Sequence, residues 1–286
     1  MTKIVGILNI TPDSFSDGGK FNSLQSAISH LNLMLEDGAS VIDVGSESTR
    51  PNSIKLTSEE EWKRLENILP EIAWQVKRFN KKHGFDEAKI VKISIDSYHV
   101  ETIKKSYEMG VDIVNDVSGF VDERIVEFIA DNKMTAILMH NLSIHANPDL
   151  IINQHLDLIE EILVWARKKI SYLESNGVKK SQLIFDPGIG FGKNASQSIK
   201  ILKNIDSFRV LSLPLYVGHS KKSFLDTLQL ESFDETSGSE KLLNRSEKTL
   251  VISKFLARKN VEFLRVHDVA ENLRSIGLSC SARYQM

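Results

Sequence analysis

Short runs rich in Val and Ile alternate along this chain with longer segments of helical period. The strand-like runs are Ile4–Ile10, Val41–Val44, Ile90–Asp96, Asp112–Val117, Thr135–His140, Leu183–Asp186, Pro214–Gly218 and Phe263–His267. Runs this apolar fit parallel strands covered on both faces. Between them, Leu24, Ala27, Ile28, Leu31 and Leu35 form a helical stripe that Gly38 stops. Trp62, Leu65, Leu69, Ile72 and Val76 form a second; Ser58 and Glu61 have capping-box spacing there, and Pro70 kinks or breaks it. Leu156, Ile159, Leu163, Ala166, Ile170 and Leu173 form the longest, and Asp268 with Glu271 opens a last helix through Ala270, Leu273 and Ile276.

Eight strand–helix units in 286 residues predict an α/β fold, a single (β/α)8 barrel domain over residues 1–286. An open, doubly wound sheet is the rival that periodicity alone does not exclude. The loops after the first two strands are long and read as mobile, and so does the polar stretch 231–245. Composition narrows the partners. With 36 basic and 38 acidic residues the net charge is −2, which excludes binding nucleic acid by bulk electrostatics. The single Cys280 excludes an intrachain disulfide and a cysteine-rich zinc site. No apolar run reaches the ~18 residues of a membrane span, and Ile4–Ile10 is too short for a signal peptide. These features together predict a cytoplasmic location.

Polar residues recur where strands end: Asn9, Asp96, Asn115 and Asp116, His140, Asp186, Lys221 and Lys222, Arg265 and His267. In a barrel that is the face on which sites are built. The loops beyond are unusual too. Thr11–Gly19 and Gly45–Pro51 are long enough for lids, and Asp186–Lys193 is glycine-rich, which lets backbone N–H groups approach an anion.

The segments N-I-T-P-D-S-F-S-D-G-G, E-S-T-R-P, I-D-S-Y, N-D-V-S-G, D-P-G-I-G-F-G-K, G-H-S-K-K-S and R-V-H-D-V, in this order from Ile4 to about Ala270, resemble the dihydropteroate synthase family. The resemblance implies a (β/α)8 barrel. It implies an enzyme of folate biosynthesis, a sulfonamide target, that joins 6-hydroxymethyl-7,8-dihydropterin pyrophosphate to p-aminobenzoate and releases pyrophosphate. It also implies a Mg²⁺ cofactor and, often, a homodimer.

Carried over residue by residue, Asp96, Asn115 and Asp186 match the acceptors for the pterin's N–H edge, Lys222 the donor to its acceptor atoms, and Val117 and Met139 its apolar walls. Thr49, Arg50, Arg265 and His267 match the family's pyrophosphate contacts, and Asn9 its contact to Mg²⁺. A neutral oxygen ligand suits an ion that keeps most of its waters and is shared with phosphate. Phe15, Pro51, Ile189, Gly190 and Lys222 match the p-aminobenzoate slot, with Ser223 meeting the carboxylate and Asp17 facing the developing pterin-methyl cation. The resemblance thus implies a catalytic group of Lys222, Asp17, Arg265 and His267.

The chain departs from the family's usual sequence in three places. Lys221 stands where the family has Arg, Asn141-Leu142-Ser143 follow His140 in place of a Met and a nearby Gly, and Lys248 stands for a Gly. Arg to Lys loses a planar fork of donors. Two alternatives share the pterin-binding residues: a methyltetrahydrofolate-dependent methyltransferase and a silent pterin-binding paralogue. The first has no need of S-T-R-P and R-V-H, and both alternatives are disfavoured by the pyrophosphate-side residues.

Overall fold

The computed structural model describes residues 1–11, 19–49, 53–84, 89–147, 149–229, 233 and 243–278. Its elements are β1 (Lys3–Asn9), α1 (Gly19–Glu36), β2 (Val41–Gly45), α2 (Ser58–Leu65), α3 (Leu69–His83), β3 (Lys92–Asp96), α4 (Val100–Glu108), β4 (Ile113–Asp116), α5 (Glu123–Asp131), β5 (Thr135–Met139), α6 (Leu158–Ser175), β6 (Leu183–Asp186), α7 (Ala195–Lys203), β7 (Tyr216–Val217), α8 (Arg245–Arg258), β8 (Phe263–Val266) and α9 (Val269–Ser275).

The strands pair in parallel in the order β6-β5-β4-β3-β2-β1-β8-β7. A single parallel bridge, Phe185 to Leu215, with Phe185 N donating to Pro214 O at 2.9 Å, joins β6 to β7. That bridge closes the ring and decides for the barrel against the open sheet.

Alternation along the strands builds two cores. Outward side chains such as Ile4, Leu8, Ile42, Val44, Leu138 and Phe185 pack with the helices in one large cluster. Inward, Val5, Val41, Ile113, Ile137, Ile184 and Tyr216 form a separate plug, with Phe263 against it. A barrel filled by layers of side chains in this way is a packed core and not a channel, so a ligand is confined to the layer above the plug.

Four helix starts differ from the sequence reading. The second apolar stripe is two helices, α2 and α3, and Pro70 lies in the first turn of α3, where its missing N–H costs nothing. The capping box is one residue earlier than read: Thr57 Oγ1 accepts from Glu60 N (3.2 Å) and Glu60 Oε2 accepts from Thr57 N (2.9 Å). Glu61 instead turns inward, is buried, and accepts from the Ser97 hydroxyl at 2.8 Å. Asp268 stands at the N-cap of α9 but makes no capping bond; its carboxylate pairs with Lys221 Nζ at 2.8 Å. Leu156 is exposed ahead of α6, which Asp157 caps by accepting from Ile159 N. Of the polar stretch 231–245, the described end is Asn244, which caps α8 by accepting from Glu247 N.

Candidate active site

One step along β2, β4, β6 and β8 from the plug, the inward positions turn polar. Val41 is followed by Asp43, Ile113 by Asn115, Ile184 by Asp186 and Phe263 by Arg265, while β3 contributes Asp96. On the β2–β3–β4–β8 side these groups bond to one another. Arg265 Nε donates to Asp43 Oδ2 at 2.6 Å, and its Nη2 donates to Asp96 Oδ2 at 2.7 Å. Asn115 Nδ2 donates to Asp43 Oδ2 at 3.2 Å. Burial opposes the charge on Arg265, but Asp43 and Asp96 hold the guanidinium above its ordinary value. Burial pushes Asp96 up to about 7, with Arg265 pulling it back and Asp43 adding repulsion. Such perturbed groups converging at a strand-end face mark a functional site.

Across the mouth, Asp186 is buried and accepts from Gly188 N at 2.7 Å. Burial raises its pKa and Lys222 opposes the shift. Lys222 Nζ donates to Ile189 O at 2.6 Å and lies 4.8 Å from the centre of the Phe191 ring. Burial pushes Lys222 down to about 8, against the pull of Asp186. Beneath this turn Lys193 Nζ donates to His140 O (3.0 Å) and Phe191 O (2.8 Å) and lies 2.7 Å from His140 Nδ1. Burial, with Lys193 beside it, holds His140 down at about 2, so its ring is neutral and accepts. Gly188 has φ +70°, and a Cβ there would stand 1.9 Å from His140 O, so this close turn admits only glycine.

Thus the structure gathers Asp96, Asn115, Asp186, Lys222 and Arg265 around one mouth, with Val117 and Met139 buried beside them. Asn9 ends β1 beside Gly45, half-buried. Thr49 is held through its carbonyl by Ala146 N at 3.1 Å. The Ser220 hydroxyl accepts from His267 N (3.3 Å) and faces His267 Nδ1 at 2.9 Å, which fixes the ring just beyond β8. Ser223 is exposed at the start of a short 3-10 turn, Ser223–Thr227. Ile189 is fully buried in the outer core, so its carbonyl, and not its side chain, is what it offers Lys222. A Cβ on Gly190 would stand 3.7 Å from Lys222 Cδ. Phe15, Asp17, Arg50, Pro51 and Cys280 lie outside the described residues.

Asp116, flagged with Asn115 at the end of β4, faces away from the mouth. It accepts from Ser118 N (2.7 Å), Ser118 Oγ (2.9 Å) and Phe120 N (3.0 Å) and shapes the following turn. Asp43 was missed, although a lone carboxylate within V-I-D-V-G, in step with Val41, is the signal that finds it. Ser94 and Tyr216, both buried on inward positions, carry hydroxyls without a hydrogen-bond partner among the described residues. Also among the described residues, no group of three His, Cys, Asp or Glu side chains is arranged to hold a metal, and no helix is long and apolar enough to cross a membrane.

Comparison with known proteins places the chain in a family. The model of the pterin binding enzyme family matches residues 5–267. A dihydropteroate synthase of Clostridium beijerinckii is 35% identical over 276 residues, covering 96% of this chain and 91% of the relative. Among solved structures, dihydropteroate synthase from Anaplasma phagocytophilum with bound 6-hydroxymethylpterin-monophosphate is 38% identical with a TM-score of 0.82, covering 96% of this chain and 97% of that one. The Xanthomonas albilineans dihydropteroate synthase with 4-aminobenzoic acid is 27% identical with a TM-score of 0.80, covering 96% and 91%.

Proposed function

From the membership of this chain in the pterin binding enzyme family we infer its reaction and a division of labour among its residues. It is a transferase of folate synthesis: it condenses 6-hydroxymethyl-7,8-dihydropterin pyrophosphate with p-aminobenzoate to 7,8-dihydropteroate. The bond from the pterin's exocyclic methylene carbon to oxygen breaks, diphosphate departs with the electron pair and leaves a pterin-methyl cation, and the arylamine nitrogen bonds to that carbon and loses its proton.

The observation that carries the residue roles is the convergence of acceptors and one under-used cation on a single mouth. The pterin's amino-pyrimidinone edge presents N–H donors; Asp96, Asn115 and Asp186 accept them, and burial of these groups excludes competing water. Lys222 has one protein acceptor among the described residues, so its other protons serve the pterin. Arg265, with His267 beyond the same strand and Thr49 in the β2–α2 loop, takes the diphosphate, where preorganised cations stabilise the charge that develops on departure. Ser223 and the Ile189–Gly190 turn border the p-aminobenzoate side.

Mg²⁺ belongs to this reading. The described residues offer no three-ligand cage, but Mg²⁺ is commonly held by one or two protein oxygens together with substrate phosphate, and Asn9 at the mouth fits that need. When bound it neutralises charge on the leaving diphosphate. A cytoplasmic homodimer completes the reading, and sedimentation checks the dimer.

Incubation with the pterin pyrophosphate, p-aminobenzoate and Mg²⁺, followed by chromatography, is the test. Dihydropteroate is expected, and it is lost on chelation of the metal. Product formation untouched by chelator overturns the part given to Asn9; absence of product with all components present overturns the function.

A further inference from the structure

Two features of the sequence have no part in the mechanism above. Glu47 stands in the E-S-T-R-P motif with no assigned contact, and the segment after β5 departs from the family's usual sequence at Asn141–Ser143. The structure brings these two places together. His145 Nε2 lies 2.6 Å from Glu47 Oε1, and His145 Nδ1 lies 3.1 Å from Ser53 O. The neighbouring Ala146 N donates to Thr49 O at 3.1 Å. Ser143 Oγ donates to His145 O at 2.7 Å, which stiffens the segment that presents the ring.

Glu47 is itself anchored. Its side chain is 3% exposed, the Tyr98 hydroxyl donates to Oε1 at 2.8 Å, and His99 Nε2 lies 3.7 Å from Oε2. Burial pushes Glu47 up, but His99, His145 and Tyr98 outweigh it and hold the carboxyl below its usual range. Tyr98 and His99 sit where β3 runs into α4, on the rigid wall of the barrel. The contact to His145 is therefore of the short, charge-assisted kind, with a fixed carboxylate at one end. His145 fastens the β2–α2 loop on both sides of residues 50–52, at Glu47 before them and at Ser53 after, and the neighbouring Ala146 N–H adds Thr49 O. None of these bonds reaches Asp96, Asn115, Asp186 or Lys222.

We propose that His145 is a positioning residue for the diphosphate half of the substrate, acting through Glu47 and Ser53 to fix Thr49 at the mouth of the barrel. The inference rests on the reading of Thr49 as a diphosphate contact. A loop already fastened loses less conformational freedom when ligand binds, so the affinity gained is confined to whatever that loop touches. The ring is 22% exposed, so its removal opens no core.

The test compares wild type, His145→Ala and Tyr98→Phe in two measurements: steady-state kinetics with the pterin diphosphate, and calorimetric binding of 6-hydroxymethylpterin, which lacks the diphosphate. For His145→Ala, KM for the diphosphate rises about tenfold, the equivalent of one charge-assisted hydrogen bond, while kcat moves less than about twofold. Affinity for the alcohol stays at the wild-type value. Tyr98→Phe, which loosens the carboxylate and leaves the ring, moves KM in the same direction by about threefold. An unchanged KM in both variants overturns the proposal, and so does an equal loss for alcohol and diphosphate, which marks a merely structural contact. A wild-type protein that forms no dihydropteroate overturns the reaction itself, and that arm is read first.

Discussion

Lys193 and Lys222 are a matched pair in sequence and opposites in space. Each follows a turn beyond a barrel strand, and each feels the carboxylate of Asp186. Lys193 meets three acceptors, two carbonyls and a neutral imidazole nitrogen, so its ammonium is closed to any ligand. Lys222 meets one carbonyl and the face of Phe191. What separates the structural lysine from the working one is therefore the number of its three protons already engaged, along with the half-buried position of Lys222 against the buried Lys193. Arg265 is a third case: two carboxylates match its charge, whereas the lysines rest mainly on dipoles and have their pKa values pushed down.

Substitution breaks the pair apart. Lys222→Ala is expected to lower kcat/KM by about 10³-fold, the scale of losing a preorganised charge at the reacting group, with little loss of stability. Steady-state assays and a urea titration read the two effects separately. Lys193→Met does the reverse. It leaves His140 O, Phe191 O and His140 Nδ1 without their donor, and urea unfolding is expected to show a loss of about 2–3 kcal/mol; kcat/KM falls far less than in Lys222→Ala.

The pH response sharpens the contrast. Lys222 titrates near 8 in the folded chain and near 10.5 when unfolded. Between those values the unfolded chain binds more protons, so stability contributed by this group rises with pH across that window, by up to about 3 kcal/mol. Below the window both states are protonated and the burial penalty is in full force. Activity runs the other way, falling above pH 8 as the ammonium is lost, and Lys222→Met flattens the stability slope. The smallest effect is expected for Asp43→Asn. Arg265 keeps Asp96, and diphosphate affinity drops about fivefold, read by titration calorimetry; an unchanged affinity removes Asp43 from the site.

Much of the fold was legible because two periods alternate without interruption, and strand-end polarity then pointed at Asp96, Asn115, Asp186, Lys222 and Arg265. What escaped depended on phase. Asn115 and Asp116 are neighbours of like polarity, but only the first is in step with Ile113, so one enters the barrel and the other braces a turn. Asp43 was invisible to a rule that looked only at strand ends, since it lies mid-strand. The Glu60–Glu61 frame slipped for a similar reason. Three consecutive acids at the start of α2 give no clue which one turns back to Thr57 and which is buried against Ser97. Partnership across 98 residues, as between Glu47 and His145, leaves no trace in spacing at all.

The ring of strands is joined unevenly. Every neighbouring pair is laddered except β6 and β7, where one bridge at Phe185 and Leu215 completes the circle and β7 itself is two residues long. In a cask this is the loose stave. Local opening in a protein begins where the backbone ladder is thinnest, and here that place lies between Asp186 at the end of β6 and Lys222 just past β7. A pterin gripped by both acts as a hoop across the joint, so the ligand that the barrel holds also holds the barrel. Amide exchange at Tyr216 and Val217, fast in the free protein and slowed by bound pterin, is where that tightening is read.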